Sequence, residues 1–238
     1  RLRRIRMTKM SRVKICSSFL TYRPIYMYLN SVIMNRSIGI FDSGVGGLTV
    51  FAAIRRALPN ESLVYLGDTA RVPYGTKSAE TVIKYSIQNA HFLVQRGIKA
   101  LVVACNTSSA YSLPFLRKEI GVPVIGVIEP GARAALKASK TKNIGVIGTA
   151  ATIASNAYAR LLKEYDKSVK VVSQSCPLFV PLVEEGWLDG DVTSAVAKIY
   201  LESFAKEKID ALVLGCTHYP LLKPVIQKVV AEGVELID

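Results

Sequence analysis

The sequence predicts an α/β fold with two similar lobes, each built on a mainly parallel sheet. Three observations predict it. Short apolar runs rich in β-branched residues recur along the chain, stretches with helical periodicity lie between several of them, and part of the pattern occurs twice. Alternation of strands and helices is typical of parallel sheets covered by helices.

Eight apolar runs are predicted to be the strands. They are short and apolar on both faces, as buried parallel strands are. In chain order they cover residues 38–41, 63–66, 100–104, 123–127, 144–147, 169–172, 211–214 and 234–237.

The clearest helix is predicted between residues 78 and 96. Ser78 can cap its first turn and Gly97 can end it. Apolar residues recur along it at intervals of three and four, which is the helical period. The predicted buried face consists of Ile83, Ile87, Ala90 and Val94.

An internal repeat predicts that the two lobes are alike. Residues 38–40 match 144–146, and residues 98–105 match 209–216 with five of eight positions identical and a Cys ending both copies. Repeated order of this kind indicates a duplicated structural unit. We therefore expect a first lobe at 37–129, a second lobe at 130–219, and a return of residues 220–238 to the first lobe.

Residues 1–36 differ from the rest of the chain. They hold nine Lys and Arg and no acidic residue; subtracting these nine from the total of 31 leaves 22 basic and 18 acidic side chains, a net charge of +4, in residues 37–238. This basic head fits an extension of the reading frame upstream of the protein, or a transit peptide. Either way, we expect it to lie outside the fold.

Composition excludes several classes of protein. No stretch reaches the length of about 18 apolar residues that a membrane span needs. Four Cys in 238 residues are too few for a disulfide scaffold, and four Cys with two His hardly suffice for a zinc site. A reducing, cytoplasmic location and a site without metal are the expectations.

The candidate chemistry lies just after the strands, because ligands in α/β sheets bind beyond the carboxyl ends of the strands. Cys105 and Cys216 stand there at matching positions of the two repeats. Two thiols that flank one pocket suit inversion at a C–H centre, in which one thiolate removes a proton and the other thiol supplies one. The alternative is that both are small buried residues of the core, since Cys is often buried.

The segment after the first strand also resembles a dinucleotide-binding loop. It reads Gly44-Val45-Gly46-Gly47, with Asp68 near the position of the acidic residue. However, Thr49 occupies the place of the third glycine, and Asp42 would face the pyrophosphate. The pattern therefore disfavours a nucleotide.

At these positions the chain resembles the glutamate racemases of the aspartate/glutamate racemase superfamily. The resemblance rests on IGIFDSGVGGL (38–48), YLGDTARVPYG (65–75), ACNTS (104–108), IGVIEP (125–130), GVIGTAATIAS (145–155) and LGCTHYPLL (214–222). It implies cofactor-independent interconversion of L- and D-glutamate, which supplies D-glutamate for peptidoglycan. It also implies two α/β lobes with the active site at their interface.

The resemblance assigns roles to individual residues. As catalytic or supporting residues it implies Cys105, Cys216, Asp42, His218, Asp68 and Glu184. As substrate-binding residues it implies Asp42, Ser43, Tyr74, Gly75, Asn106, Thr107, Thr149, Thr152 and Thr217. No metal ligand and no cofactor are expected.

Other expectations concern partners and neighbouring activities. The resemblance allows a homodimer, and DNA gyrase enters only by analogy with family members that inhibit it; the charge of +13 leaves nucleic acid as a weaker alternative. Aspartate or a hydantoin is the alternative substrate within the superfamily. Family members continue beyond the point that matches Asp238, with a segment that packs on the first lobe, so we expect apolar surface to be uncovered there.

Overall fold

The structure is a computed structural model, and it describes residues 36–238. A strand overlaps each of the eight predicted runs. The strands are β1 (Ile38–Asp42), β2 (Leu63–Gly67), β3 (Ala100–Val103), β4 (Val124–Gly126), β5 (Asn143–Gly148), β6 (Lys170–Ser175), β7 (Ala211–Gly215) and β8 (Glu235–Ile237).

Helices connect these strands. They are α1 (Leu48–Ala57), α2 (Ala79–Gln95), α3 (Asn106–Glu119), α4 (Ile128–Ala138), α5 (Ala150–Ala154), α6 (Ala157–Tyr165), α7 (Phe179–Glu184), α8 (Gly190–Glu207) and α9 (Lys223–Val229). Two 3₁₀ turns, Tyr74–Thr76 and Tyr219–Leu222, follow β2 and β7. No helix of this described part is long and apolar enough to cross a membrane.

The strands form two parallel sheets of four with the same topology. The order is β2-β1-β3-β4 in one and β6-β5-β7-β8 in the other. Ile38 pairs with Ala100 in the first sheet, and Ile144 pairs with Ala211 in the second. The predicted α/β fold with two similar lobes is therefore confirmed, and the sequence repeat corresponds to equivalent strands.

The expected return of residues 220–238 to the first lobe is wrong. β8 pairs in parallel with β7, so it completes the second sheet. Val225, Ile226 and Val234 are buried in one cluster with Leu201 and Phe204 of α8. The physical reason is that the second sheet needs a fourth strand to cover β7, and this segment supplies it as 124–126 does for β3. The proposed limits of the two lobes otherwise stay predictions, and residues 1–35 lie outside the described part.

Helix α2 begins as the sequence predicts, but its buried face is displaced. The Ser78 side chain accepts a hydrogen bond from the Thr81 amide, which caps the first turn. Of the four residues predicted to be buried, only Ala90 is fully so. The centre of the packed face consists of Val82, Ser86, Asn89, Ala90 and Leu93. Two of these are polar, and both have hydrogen-bond partners within the protein. The Ser86 hydroxyl donates to the Val82 carbonyl, and Asn89 belongs to a network described below.

Helix α1 covers the first sheet incompletely. None of its residues is fully buried. A groove of about 670 Å³ runs beside it, between its side chains and elements of the second lobe, and reaches Asp238. The lining of this groove includes apolar side chains of both lobes, among them Val50, Ile54 and Val213.

Candidate active site

The ends of strands from both lobes meet around one small cavity of about 20 Å³. The loops after β1, β2, β3, β5 and β7 all contribute to it, because the carboxyl ends of both parallel sheets point toward each other there. The lining residues are Ser43, Val72, Pro73, Tyr74, Gly75, Cys105, Asn106, Thr107, Thr149, Val180, Gly215, Cys216, Thr217 and His218. Cys105 and Cys216 therefore flank a single cavity, one from each lobe.

Cys105 lies at the start of helix α3. It is the N-cap residue, and its sulfur accepts a hydrogen bond from the Ser108 amide at 3.5 Å. The thiol also lies 3.7 Å from the Ser43 hydroxyl. Burial raises the pKa of Cys105 and the charge of Asp42 raises it further, while the donors from Ser108 and Ser43 lower it. A helix N-terminus favours the thiolate in the same way, because its amides carry partial positive charge.

Cys216 follows β7 and has a different neighbour. Its sulfur lies 3.8 Å from Nδ1 of His218. Burial raises the pKa of this thiol strongly, and the backbone amides of His218 and Tyr219 oppose that effect. A proton can thus pass between this sulfur and an imidazole, which is a common acid–base arrangement.

Glu184 holds His218 from the opposite side. Nε2 of His218 lies 2.5 Å from Oε1 of Glu184 at the end of α7, and the imidazole is almost fully buried. Gly46 allows the first lobe to pack on this ring, because a Cβ there would meet Nδ1 of His218 at 2.6 Å. The carboxylate, imidazole and thiol form a chain within hydrogen-bonding reach, and the ring is fixed in orientation.

Asp42 lies beneath the cavity rather than in its wall. It is fully buried, and Oδ2 accepts hydrogen bonds from the amides of Gly44 and Gly47, both at 3.1 Å. Oδ1 accepts one from the Thr217 hydroxyl at 3.2 Å, across the lobes. Burial raises the pKa of Asp42, and these donors together with His218 oppose the shift. Its position lets the carboxylate influence both thiols.

Three hydroxyls form a triangle on the other side of the cavity. Thr107 of the first lobe lies 3.0 Å from both Thr149 and Thr152 of the second, and those two are 3.0 Å apart. Gly75 packs against this group, since a Cβ there would meet the Cβ of Thr149 at 2.5 Å. Hydroxyls in this arrangement can reorient to donate to a carboxylate oxygen.

Asp68 does not reach the thiols. Its carboxylate pairs with Arg71 at 2.8 Å and accepts hydrogen bonds from the Tyr74 phenol and, at 3.4 Å, from the Asn89 amide. The Asn89 amide also donates to the Tyr74 phenol at 3.0 Å. Asp68 therefore fixes Tyr74, which lines the cavity. Sequence reasoning missed Asn89 and Arg71, although a polar residue within the apolar face of α2 was a signal for the former.

Tyr158 is a second residue that the sequence did not reveal. Its phenol, buried on α6 of the second lobe, donates to Oδ1 of Asn106 at the start of α3, at 2.7 Å. Asn106 lines both the small cavity and the groove beside α1. The phenol thus fixes the orientation of an amide in the cavity wall. Tyr158 lies just beyond the motif at 145–155, but nothing in the local pattern indicated its partner.

The third described thiol takes no part. Cys176 is buried among second-lobe side chains, and burial raises its pKa to about 12. Across residues 36–238 no cluster of three or more His, Cys, Asp or Glu is arranged to hold a metal ion.

Comparison with known proteins places this site in a family. A glutamate racemase from Geobacter metallireducens is 57% identical over 203 residues, which are 85% of this chain and 75% of that protein. The crystal structure of a glutamate racemase from Bacillus anthracis matches with a TM-score of 0.83 and 48% identity, over 86% of this chain and 77% of that one. A glutamate racemase from Francisella tularensis, solved in complex with D-glutamate, matches with a TM-score of 0.81 and 45% identity, over 86% and 76%. The family described as Asp/Glu/Hydantoin racemase matches residues 38–238, and the chain belongs to this family.

Proposed function

We propose that this protein is an isomerase that interconverts L- and D-glutamate with two cysteines as its acid–base pair. The observation that carries the proposal is that Cys105 and Cys216, at matching strand ends of the two lobes, line one cavity. The relatives at about half identity or more are glutamate racemases, which supports glutamate over aspartate or a hydantoin.

The proton transfers balance without any further reactant. With L-glutamate, the Cys216 thiolate removes the α-proton, and the Cys105 thiol delivers its own proton to the opposite face of the α-carbon. Cys216 then carries the proton and Cys105 the charge, so the enzyme is ready for D-glutamate. One thiol must be ionised and the other protonated in each direction, which predicts a bell-shaped pH dependence.

The surrounding groups have separate tasks in this scheme. The hydroxyls of Thr107, Thr149 and Thr152 and the amide of Asn106 offer hydrogen bonds to the carboxylates of the substrate. Asp42 lies behind both thiols, where its charge attracts the ammonium group of the substrate. The small cavity leaves little room for water, and a site with little water strengthens each of these interactions.

The biological role rests on the family resemblance alone. We propose that the protein acts in the cytoplasm, with glutamate as its small-molecule substrate, and that the D-glutamate formed supplies peptidoglycan synthesis. No contact described above bears on a homodimer, DNA gyrase or a nucleic acid.

The decisive experiment measures α-proton exchange and chirality together. Purified protein is incubated in deuterated water with each enantiomer of glutamate, aspartate and a 5-substituted hydantoin. We expect deuterium at the α-carbon and the opposite enantiomer only with glutamate. Exchange with aspartate or the hydantoin and none with glutamate would reassign the substrate, and exchange with no compound would overturn the proposal.

A further inference from the structure

Ser108 carries a buried hydroxyl with no hydrogen bond. Within residues 36–238 it is the one buried side-chain N or O atom that lacks a partner, and the residue is fully inaccessible to solvent. A buried donor without an acceptor lowers stability, so native proteins rarely keep one without a functional reason.

The position of Ser108 places this hydroxyl beside Cys105. Cys105 is the N-cap of α3 and Ser108 is the third helical residue, whose amide donates to the sulfur at 3.5 Å. In capping boxes the side chain of the third residue turns back toward the N-cap. The Ser108 hydroxyl belongs to the same turn as the sulfur, and a hydrogen bond from it to the sulfur would oppose burial, which raises the pKa of Cys105.

The other ionisable groups around Cys105 do not stabilise its thiolate by a positive charge. The titratable groups that face it come from β1, β2, β7, the first 3₁₀ turn, α2 and α3. They are Asp42, Tyr65, Cys216, Tyr74, Tyr85 and Tyr111. None of these six is a cation, and Asp42 raises the pKa of the thiol by its charge. His218 lines the same cavity, but its imidazole lies beside Cys216 and Glu184. Stabilisation of this thiolate therefore depends on hydrogen-bond donors.

The second thiol has no equivalent donor. Tyr219 stands three residues after Cys216, as Ser108 does after Cys105, and its phenol donates to the Cys176 carbonyl at 2.8 Å. A hydroxyl at this position thus occurs in the first lobe only, whereas the side chain beside the sulfur of Cys216 is the imidazole of His218.

We propose that Ser108 is a positioning residue for proton transfer at Cys105. Its hydroxyl is unpaired while the thiol is protonated, and it donates a hydrogen bond to the sulfur when the thiolate forms. Its part in turnover rests on the proposed racemase function, but its effect on the thiol does not. The hydroxyl favours ionisation of Cys105 and leaves Cys216 unaffected.

The test measures the ionisation of each thiol directly. The full chain and its Ser108→Ala variant are treated with iodoacetamide across a pH range, and mass spectrometry follows the peptides that contain Cys105 and Cys216. The thiolate attacks the carbon and iodide leaves, so the rate reports the ionised fraction. We expect the apparent pKa of Cys105 to rise by about one unit, with alkylation about tenfold slower below it, and the Cys216 profile to stay unchanged.

Thermal unfolding separates this role from a structural one. Because the hydroxyl has no partner in the resting protein, Ser108→Ala should leave Tm unchanged or raise it. The matched control is Ser109→Ala on the same turn: the Ser109 hydroxyl donates to the Val103 carbonyl at 2.9 Å and accepts from the Val127 amide. That variant should lower Tm and leave the Cys105 profile unchanged.

Three results would overturn the proposal. They are an unchanged pH profile of Cys105 alkylation in Ser108→Ala, an equal shift in the Cys216 profile, or a loss of Tm as large as in Ser109→Ala.

The pH dependence of racemisation gives a second measurement. In Ser108→Ala, the ascending limb of the pH–rate profile with D-glutamate should move up by about one pH unit, while the ascending limb with L-glutamate should stay in place. Absence of racemisation in the wild type would refute the proposed function, and the alkylation result would still decide the role of Ser108.

Discussion

The two thiols occupy equivalent places in a repeated fold but have different neighbours. Cys105 caps a 14-residue helix; its sulfur accepts a hydrogen bond from the Ser108 amide, and its thiol donates to the Ser43 hydroxyl. Cys216 lies three residues before a 3₁₀ turn (Tyr219–Leu222) and beside an imidazole that Glu184 holds. The repeat thus supplies the position of each sulfur, while the residues that follow each strand determine how it ionises.

Replacing either thiol should have the largest effect. Cys105→Ser and Cys216→Ser should each reduce racemisation by about 10³-fold or more, because a hydroxyl is too weak a base to replace a thiolate. The fold should persist, as checked by circular dichroism.

Residual exchange in these variants should be one-sided. By the family resemblance, Cys216→Ser should retain α-proton exchange with D-glutamate, and Cys105→Ser with L-glutamate. Racemisation at a near wild-type rate in Cys105→Ser would refute the paired-thiol scheme.

Loss of the imidazole should affect one direction more than the other. His218→Asn removes the group beside Cys216, and we expect kcat with L-glutamate to fall about a hundredfold. The rate of proton abstraction from D-glutamate should fall less, because Cys105 performs that step. Single-turnover deuterium exchange measures that step for each enantiomer. Glu184→Gln should reproduce the pattern more weakly, since it keeps a hydrogen bond to the ring. Equal losses for both enantiomers would show that His218 serves both thiols.

Asp42→Asn should act on both thiols alike. The carboxylate raises the pKa of Cys105 and of Cys216 by its negative charge, so its removal should lower both and move both ascending pH limbs to lower pH. We also expect kcat to fall about tenfold or more, because the charge near the ammonium group is lost. A change in KM alone, with unmoved limbs, would restrict Asp42 to binding.

Tyr158→Phe should have the smallest effect and should not distinguish the thiols. The amide of Asn106 loses its fixed orientation, and KM for both enantiomers should rise about fivefold, as expected for one hydrogen bond of about 1 kcal/mol. Tyr111→Phe is the matched control, because the Tyr111 phenol also crosses between the lobes, to the Ala151 carbonyl at 2.9 Å. That variant should lose stability with KM unchanged; an equal rise in KM would contradict the role of Tyr158.

Sequence reasoning succeeded where the signal was local or repeated. The β-branched runs located all eight strands, and the matching positions of Cys105 and Cys216 in the repeat predicted that both line one cavity. It failed where a contact joins separate elements. The phenol of Tyr158 and the amide of Asn89 find partners 52 and 15 residues away, and no periodicity encodes such pairs. The placement of 220–238 failed because the run at 234–237 predicts a strand but does not identify the strand with which it pairs.

The size of the cavity between the thiols has a consequence for the speed of the enzyme. A volume of about 20 Å³ admits roughly one water molecule, whereas an amino acid is several times larger. The two halves of the site must therefore move apart to admit substrate and to release product, and that motion displaces solvent. We expect turnover to fall as the viscosity of the solution rises, which proton transfer alone would not cause.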